Sequence, residues 1–256
     1  MTKLEQYYNK FNEDHRLKTR HGIVEFTVAM KYIHDFIPDG KKVKILDLGA
    51  ATGAYSVPLS NEGHFVTAVE PVKRNLKILE SKHSLVNCWN ADARNLSFLE
   101  DNTFDICLIF GPMYHLHSPE ERLLVFNEAK RVTKSKGIIF VSYVMNEYSI
   151  LTYGFKQNHI KEIYESKKIT KDFHTIESEN ELYSYFRLED INELNKRAGV
   201  KRIKILAQDG PSDYMRKELN AMDEESFNLF IEYQLNICER MELLGASSHV
   251  LDILEN

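Results

Sequence analysis

The stretch Lys44-Ile-Leu-Asp-Leu-Gly-Ala-Ala-Thr-Gly-Ala-Tyr-Ser56 decides how the rest of the chain is read. Its first half is an apolar run of the kind that forms a buried strand, and its second half is a turn of small residues leading into a helix. Small side chains leave backbone N–H groups open to close approach, and the first N–H groups of a helix lack partners within it. Asp47 stands at the end of the strand, so a carboxylate is placed beside that open backbone. Pro58 fits the first turn of the following helix, where no N–H is needed.

Working outward, apolar runs recur at Phe65–Val69, Phe104–Phe110, Ile138–Val144 and Val200–Ala207, and the chain ends on a further strand candidate in "SSHVLDILEN". Helical segments lie between them. After Pro71, the residues Val72, Leu76 and Leu79 share one face. Ser118, Pro119 and Glu121 form an N-cap, a first-turn proline and a capping-box acid, and Gly137 closes that segment before the next strand. "RLEDINELNKRAG" reads as a helix stopping at Gly199, and a further helix is expected over about 224–244.

This alternation predicts an α/β fold: a Rossmann-like, seven-stranded, mostly parallel sheet with helices on both faces and one antiparallel strand. A single domain over 1–256 is expected, with a helical N-terminal cap (1–40) and a core (41–144). Lid insertions at 145–186 and 209–245 alternate with the remainder of the core at 187–208 and 246–256. The lids carry Tyr148, Tyr153, Phe155, Phe173, Tyr183, Tyr185 and Phe186, suited to enclosing an organic molecule.

Composition narrows the function. Charged residues are 28% and the net charge is -5, against the dense basic surface that a nucleic-acid-binding chain needs, so no nucleic-acid partner is expected. Cys88, Cys107 and Cys238 are too scattered for a disulfide framework or a metal knuckle, which favours a reducing cytoplasm, and no metal-ligand cluster stands out. No apolar run reaches membrane-spanning length and the N-terminus lacks a signal-peptide core. Monomer and homodimer are both compatible with the sequence.

The turn itself excludes two ligand classes. Counting from Gly49, a dinucleotide fingerprint would need glycines where Ala51 and Ala54 stand, and no Gly-Lys-Ser/Thr follows for a phosphate loop. An acidic strand end favours a ligand with positive charge.

Asp47 to Gly53, then Glu70 ending the second strand, Ala91-Asp92-Ala93, and Phe104-Asp105 opening the fourth resemble the class I S-adenosylmethionine-dependent methyltransferases, in that family's order. "IFGPMYHLHSPEERLLVFNEAKRVTKSKGIIFVSYV", "RHGIVEF" and "LLGASSHVLDIL" resemble a bacterial group of small-molecule methyltransferases within it. Ala51 stands where the family often has glycine.

The resemblance implies S-adenosyl-L-methionine as cofactor and a small-molecule methyl acceptor. Asp47, Gly49, Ala50, Ala51 and Gly53 would surround its methionine portion, Glu70 and Pro71 its ribose, and Asp92, Ala93 and Arg94 its adenine. Phe110 would lie beside it, Leu96 or Val72 would pack on the ring, and Arg20 would pair with its carboxylate. Tyr7, Tyr8 and Phe11 would cap the cleft, and His21 would face the acceptor.

Tyr114 and His115 are the catalytic candidates, His115 as a proton acceptor; the alternative is that Tyr114 packs over the cofactor and His115 satisfies a loop carbonyl. Each acid has a structural alternative too: Asp47 capping the turn, Glu70 solvated before proline, Asp92 opening an Asx turn. Two other functions fit part of the pattern, a noncatalytic cofactor-binding module and an NAD-linked oxidoreductase, the latter disfavoured by the missing glycine.

Overall fold

The computed structural model describes residues 3–8, 10 and 16–256. Seven strands form one sheet: β1 (Lys44–Leu48), β2 (Phe65–Val69), β3 (Asn87–Trp89), β4 (Phe104–Ile109), β5 (Thr133–Val144), β6 (Lys201–Ala207) and β7 (His249–Glu255). Their order is β3-β2-β1-β4-β5-β7-β6, with β7 antiparallel to both neighbours and the other pairs parallel.

The labelled helices are α1 (Lys3–Tyr8), α2 (Arg20–Asp35), α3 (Ser56–Asn61), α4 (Lys73–Glu80), α5 (Pro112–His115), α6 (Pro119–Val132), α7 (Asn146–Ser149), α8 (Ile160–Glu165), α9 (Leu188–Ala198), α10 (Arg216–Ala221) and α11 (Glu224–Ile237). Phe11 lies outside the described residues.

Strands covered on both faces need apolar residues at every position, which is why the central strands read as continuous runs. Alternate residues serve opposite layers. Leu46, Leu48, Cys107, Ile109, Ile139 and Val141 join Phe126 and Ala129 of α6 and Ile191 and Leu194 of α9. Ile45, Ile106, Leu108, Phe140 and Ile253 join Val28, Ala29 and Ile33 of α2.

Helix ends follow local chemistry. Ser118 Oγ accepts from Glu121 N at 3.2 Å. At the far end of α9, Gly199 takes φ 64°, which costs glycine least.

Two boundaries differ from the sequence reading. β5 begins at Thr133, ahead of Gly137, because the Asn256 amide donates to the Thr133 carbonyl at 2.8 Å and holds this segment against the chain end. The helix expected over 224–244 ends at Ile237, where the Cys238 carbonyl turns to accept from Ala207 N at 2.8 Å, and a 3-10 turn (Met241–Ala246) follows. The first lid leaves and returns at one point: Asn146 N donates to Phe186 O, and Phe186 N to Val144 O, at the end of β5.

The turn after β1 is the tightest junction. Gly53 has φ 83°, and a Cβ there would lie 2.2 Å from Leu79 Cδ1 in a fully buried side chain. Gly53→Ala should therefore cost about 1–3 kcal/mol in overpacking and left-handed backbone strain. Urea unfolding measures it, and an unchanged midpoint would contradict the packing described.

Candidate active site

The cleft lies at the carboxyl ends of β1, β2 and β4, beside the point where the strand order reverses, the usual ligand position in such sheets. Its cavity of about 310 Å³ is lined by Gly49, Ala51, Glu70, Pro71, Asp92, Ala93 and Arg94, together with Pro112 and His115 across from them.

Gly49 sets the floor. Its φ is 74° and its N–H donates to Val69 O at 2.8 Å; a Cβ would meet the Pro112 ring at 2.8 Å. Ala51 also has positive φ (48°), a strained choice for a residue with a Cβ, and this turns its N–H toward Glu70. Gly53 and Ala50 support the turn from below and do not line the cleft: Gly53 N donates to Ala50 O, and Ala50 packs on Ala68 and Leu79.

Glu70 is 4% exposed. Its two carboxylate oxygens each accept a backbone N–H at 2.8 Å, Oε2 from Ala51 and Oε1 from Val72, with the Asn75 amide at 3.5 Å. A carboxylate oxygen accepts more than one hydrogen bond, so the pair stays competent to receive two further donors from the cleft. Burial lifts Glu70 to about 7 despite those three donors.

On the far wall Asp92 opens an Asx turn, accepting from Arg94 N at 2.8 Å, and is gripped by the Arg94 guanidinium at 3.0 and 2.7 Å. Arg94 also binds Glu121 of α6. Burial opposes the charge on Asp92, but these Arg94 contacts hold its carboxyl below the usual range.

Several expectations need correction. Asp47 lies under the floor, 2% exposed, accepting from Ser56 Oγ at 2.6 Å; burial raises it to about 6. It shapes the turn and does not face the cavity. Arg20 donates to the carbonyls of Leu219 and Met222 at 2.8 and 2.6 Å and covers Phe227, tying α2 to α10 and α11 away from the cleft. The Phe110 ring packs against Tyr55 at 4.8 Å, and Leu96 and Val72 are core residues.

His115 sits in the cleft wall with both ring nitrogens engaged. Nδ1 donates to the Leu182 carbonyl at 3.0 Å, which leaves Nε2 to accept from the Tyr8 hydroxyl at 2.9 Å. Burial lowers it to about 4. A weakly basic ring whose lone pair is occupied is a poor proton acceptor, so the geometry favours the loop-satisfying alternative. Tyr114 donates to the Phe110 carbonyl at 2.6 Å, and its ring lies between His115 and His249.

Tyr8 closes the cleft as a cap, with Tyr7 edge-on to it and to Tyr183, while His21 sits 3.8 Å from Asp213. The lid aromatics divide: Phe186 is buried, whereas Tyr153 and Phe155 are about half exposed.

The sequence reading missed Asn75, Gly111, Pro112, Glu121 and Glu179 in the lining. Gly111-Pro112 carried a signal, a glycine-proline break directly after an apolar strand. Glu179 carried none.

A family model described as a methyltransferase domain matches residues 46–141. The ubiquinone biosynthesis O-methyltransferase of Rickettsia typhi is 24% identical over 155 residues, which are 57% of this chain; the chain spans 60% of that relative's length. Among solved structures, a protein of Pyrococcus horikoshii OT3 shares the fold over 98% of both chains at a TM-score of 0.61 and 18% identity. Magnesium protoporphyrin IX methyltransferase from Synechocystis PCC 6803, solved with bound SAH, aligns over 92% of this chain and 82% of its own at 0.55 and 10%. The methyltransferase-domain match thus covers the strands that frame the cleft, and the fold is the one these solved structures share.

The folded chain holds a proton on Glu70 that the unfolded chain, near 4.5, has released between about pH 4.5 and 7. Its contribution to stability is therefore lost as pH rises through that window, and Glu70→Gln should gain on the parent by about 2–3 kcal/mol between pH 5 and pH 8. Chemical denaturation at the two pH values checks this. A constant difference would place Glu70 in ordinary solvent.

Proposed function

We propose that the cleft binds S-adenosyl-L-methionine and that the chain passes its methyl group to a small organic acceptor. Glu70 carries the reading. It is a buried carboxylate fixed by two backbone donors, turned to a cavity that has no phosphate-binding loop, and suited to receive the paired hydroxyls of a ribose.

The cradle fits the group. The close approach of Gly49 to Pro112 leaves space only for backbone at the floor, Asp92 and the Ala93 amide would read an adenine edge, and the cavity is of small-ligand size. When bound, the cofactor supplies an activated methyl on a positively charged sulfur.

The chain's own contribution is placement and exclusion of water. Glu70 and Asp92 fix the nucleoside from two walls, Pro112 narrows the passage beside them, and Tyr8 with His115 closes the outer side. In-line displacement gains most of its rate from such alignment in a dry site. The insertions 145–186 and 209–245 form the cover on the acceptor side of one methyltransferase unit.

Isothermal calorimetry with S-adenosylhomocysteine tests the reading. Glu70→Ala should weaken binding at least about 100-fold, since two hydrogen bonds to a charged acceptor are worth about 3 kcal/mol or more together. Affinity in the parent should rise with pH and level off above about 7, as Glu70 ionises. Equal affinity in the parent and Glu70→Ala would refute it.

A further inference from the structure

With His115 occupied, the proton acceptor has to be sought elsewhere along the same sheet edge. Two sequence stretches that the cofactor cleft leaves unused, "RHGIVEF" and "LLGASSHVLDIL", meet there. The first brings Glu25 on α2, the second His249 at the start of β7, and Asp209 joins them just after β6.

His249 is paired with Val144 at the end of β5, so it stands at the edge where the cofactor cleft opens, and its ring centroid is 6.4 Å from that of Tyr114. His249 Nδ1 lies 2.8 Å from Asp209 Oδ2 and 3.9 Å from Glu25 Oε2. Asp209 is 3% exposed and is itself fixed, its Oδ1 accepting from His249 N at 2.8 Å and Ser247 Oγ at 2.7 Å. A carboxylate so placed holds the proton on Nδ1 and leaves the lone pair on Nε2. No described residue hydrogen-bonds Nε2, and the side chain keeps 17% exposure.

The oxygen and nitrogen donors of Glu25, Asp209 and His249 lie within 4.8 Å of one another, a spacing that also suits a divalent ion. Its members come from three distant segments, so no window of sequence contains the cluster. Arg16 already fills the cationic role: its guanidinium takes both Glu25 oxygens, at 2.6 and 3.1 Å. The arrangement is therefore read as a charge-balanced histidine.

We propose that His249, oriented by Asp209, is the proton acceptor in methyl transfer, and that the substrate is a small molecule whose nucleophile carries an ionisable O–H or N–H. The proposal rests on the methyltransferase reading above. A lone pair on the acceptor oxygen or nitrogen forms the new bond to the methyl carbon as the carbon–sulfur bond breaks. That bond's electrons neutralise the sulfonium, leaving S-adenosylhomocysteine, and the acceptor's proton passes to Nε2 and then to solvent.

The surrounding charges suit this task. Burial alone would lower the basicity of His249, but Glu25 and Asp209 outweigh it and raise it above the ordinary histidine value, with Arg16 opposing them. Tyr114 and the Ser247 and Ser248 hydroxyls complete its surroundings. A base near neutral pH is the effective kind.

The chain with 15N-labelled histidine, saturated with S-adenosylhomocysteine, tests the proposal without a known acceptor. NMR should show the neutral His249 ring protonated at Nδ1. Diethyl pyrocarbonate, which attacks neutral imidazole, should label His249 in the complex as it labels exposed His83, along a single pH titration. Asp209→Asn should lower that midpoint by about one pH unit or more, while His249→Gln keeps affinity for S-adenosylhomocysteine within about threefold.

An Nε2–H tautomer, a His249 unreactive while His83 reacts, or a tenfold or greater loss of affinity in His249→Gln (about 1.4 kcal/mol) would overturn it. If the parent fails to bind S-adenosylhomocysteine, the methyltransferase reading is what fails. The tautomer and reactivity of His249 are then read in the free chain.

Discussion

The site depends on one buried carboxylate. Glu70 bridges the turn after β1 and the entry to α4 through Ala51 N and Val72 N, adding a shared carboxyl group to the Gly49 N to Val69 O bond that already joins them. Burying a carboxylate is costly unless donors meet it, and here the backbone supplies them. The strained φ of Ala51 follows from the same demand, since that backbone conformation aims its N–H at Glu70. A site built this way is rigid before any ligand arrives.

Much of the fold was legible because sheet order in such proteins is enforced by burial on two faces. The apolar runs at Val43–Leu48, Phe65–Val69 and Phe104–Phe110 match the strands to within one residue at either end. Ser118 and Gly199 mark real helix ends because capping is local chemistry. The misplaced boundaries were set at a distance: Asn256 reaches back to Thr133, and Ala207 takes the carbonyl of Cys238. No window of sequence contains both partners.

The site divides in the same way. Glu70, Pro71, Asp92, Ala93 and Arg94 line the cleft because each follows a strand end, and strand ends can be read. Asp47 shares that position, yet its side chain points under the turn to Ser56, a difference of one residue's facing that periodicity does not resolve in a short strand. Arg20 and His115 each left two readings open in the sequence for another reason. Their partners are the carbonyls of Leu219, Met222 and Leu182, which belong to the insertions. Those insertions carry no recurring pattern, so what they satisfy appears only in three dimensions.

Among the described residues no helix is long and apolar enough to cross a membrane. In the first insertion Tyr183 meets Tyr114 and His115, while Phe186 lies under Arg122 and edge-on to Tyr143; the second packs Leu219 and Phe227 on Val24 of α2. The first insertion and the sheet edge thus pack as one layer.

The most direct test is a crystal structure of the chain with S-adenosylhomocysteine. The account predicts both ribose hydroxyls within hydrogen-bonding distance of the Glu70 carboxylate, with the adenine on the Asp92 side and the sulfur toward Pro112. A nucleoside seated elsewhere, with Glu70 still bound only to Ala51, Val72 and Asn75, would contradict it.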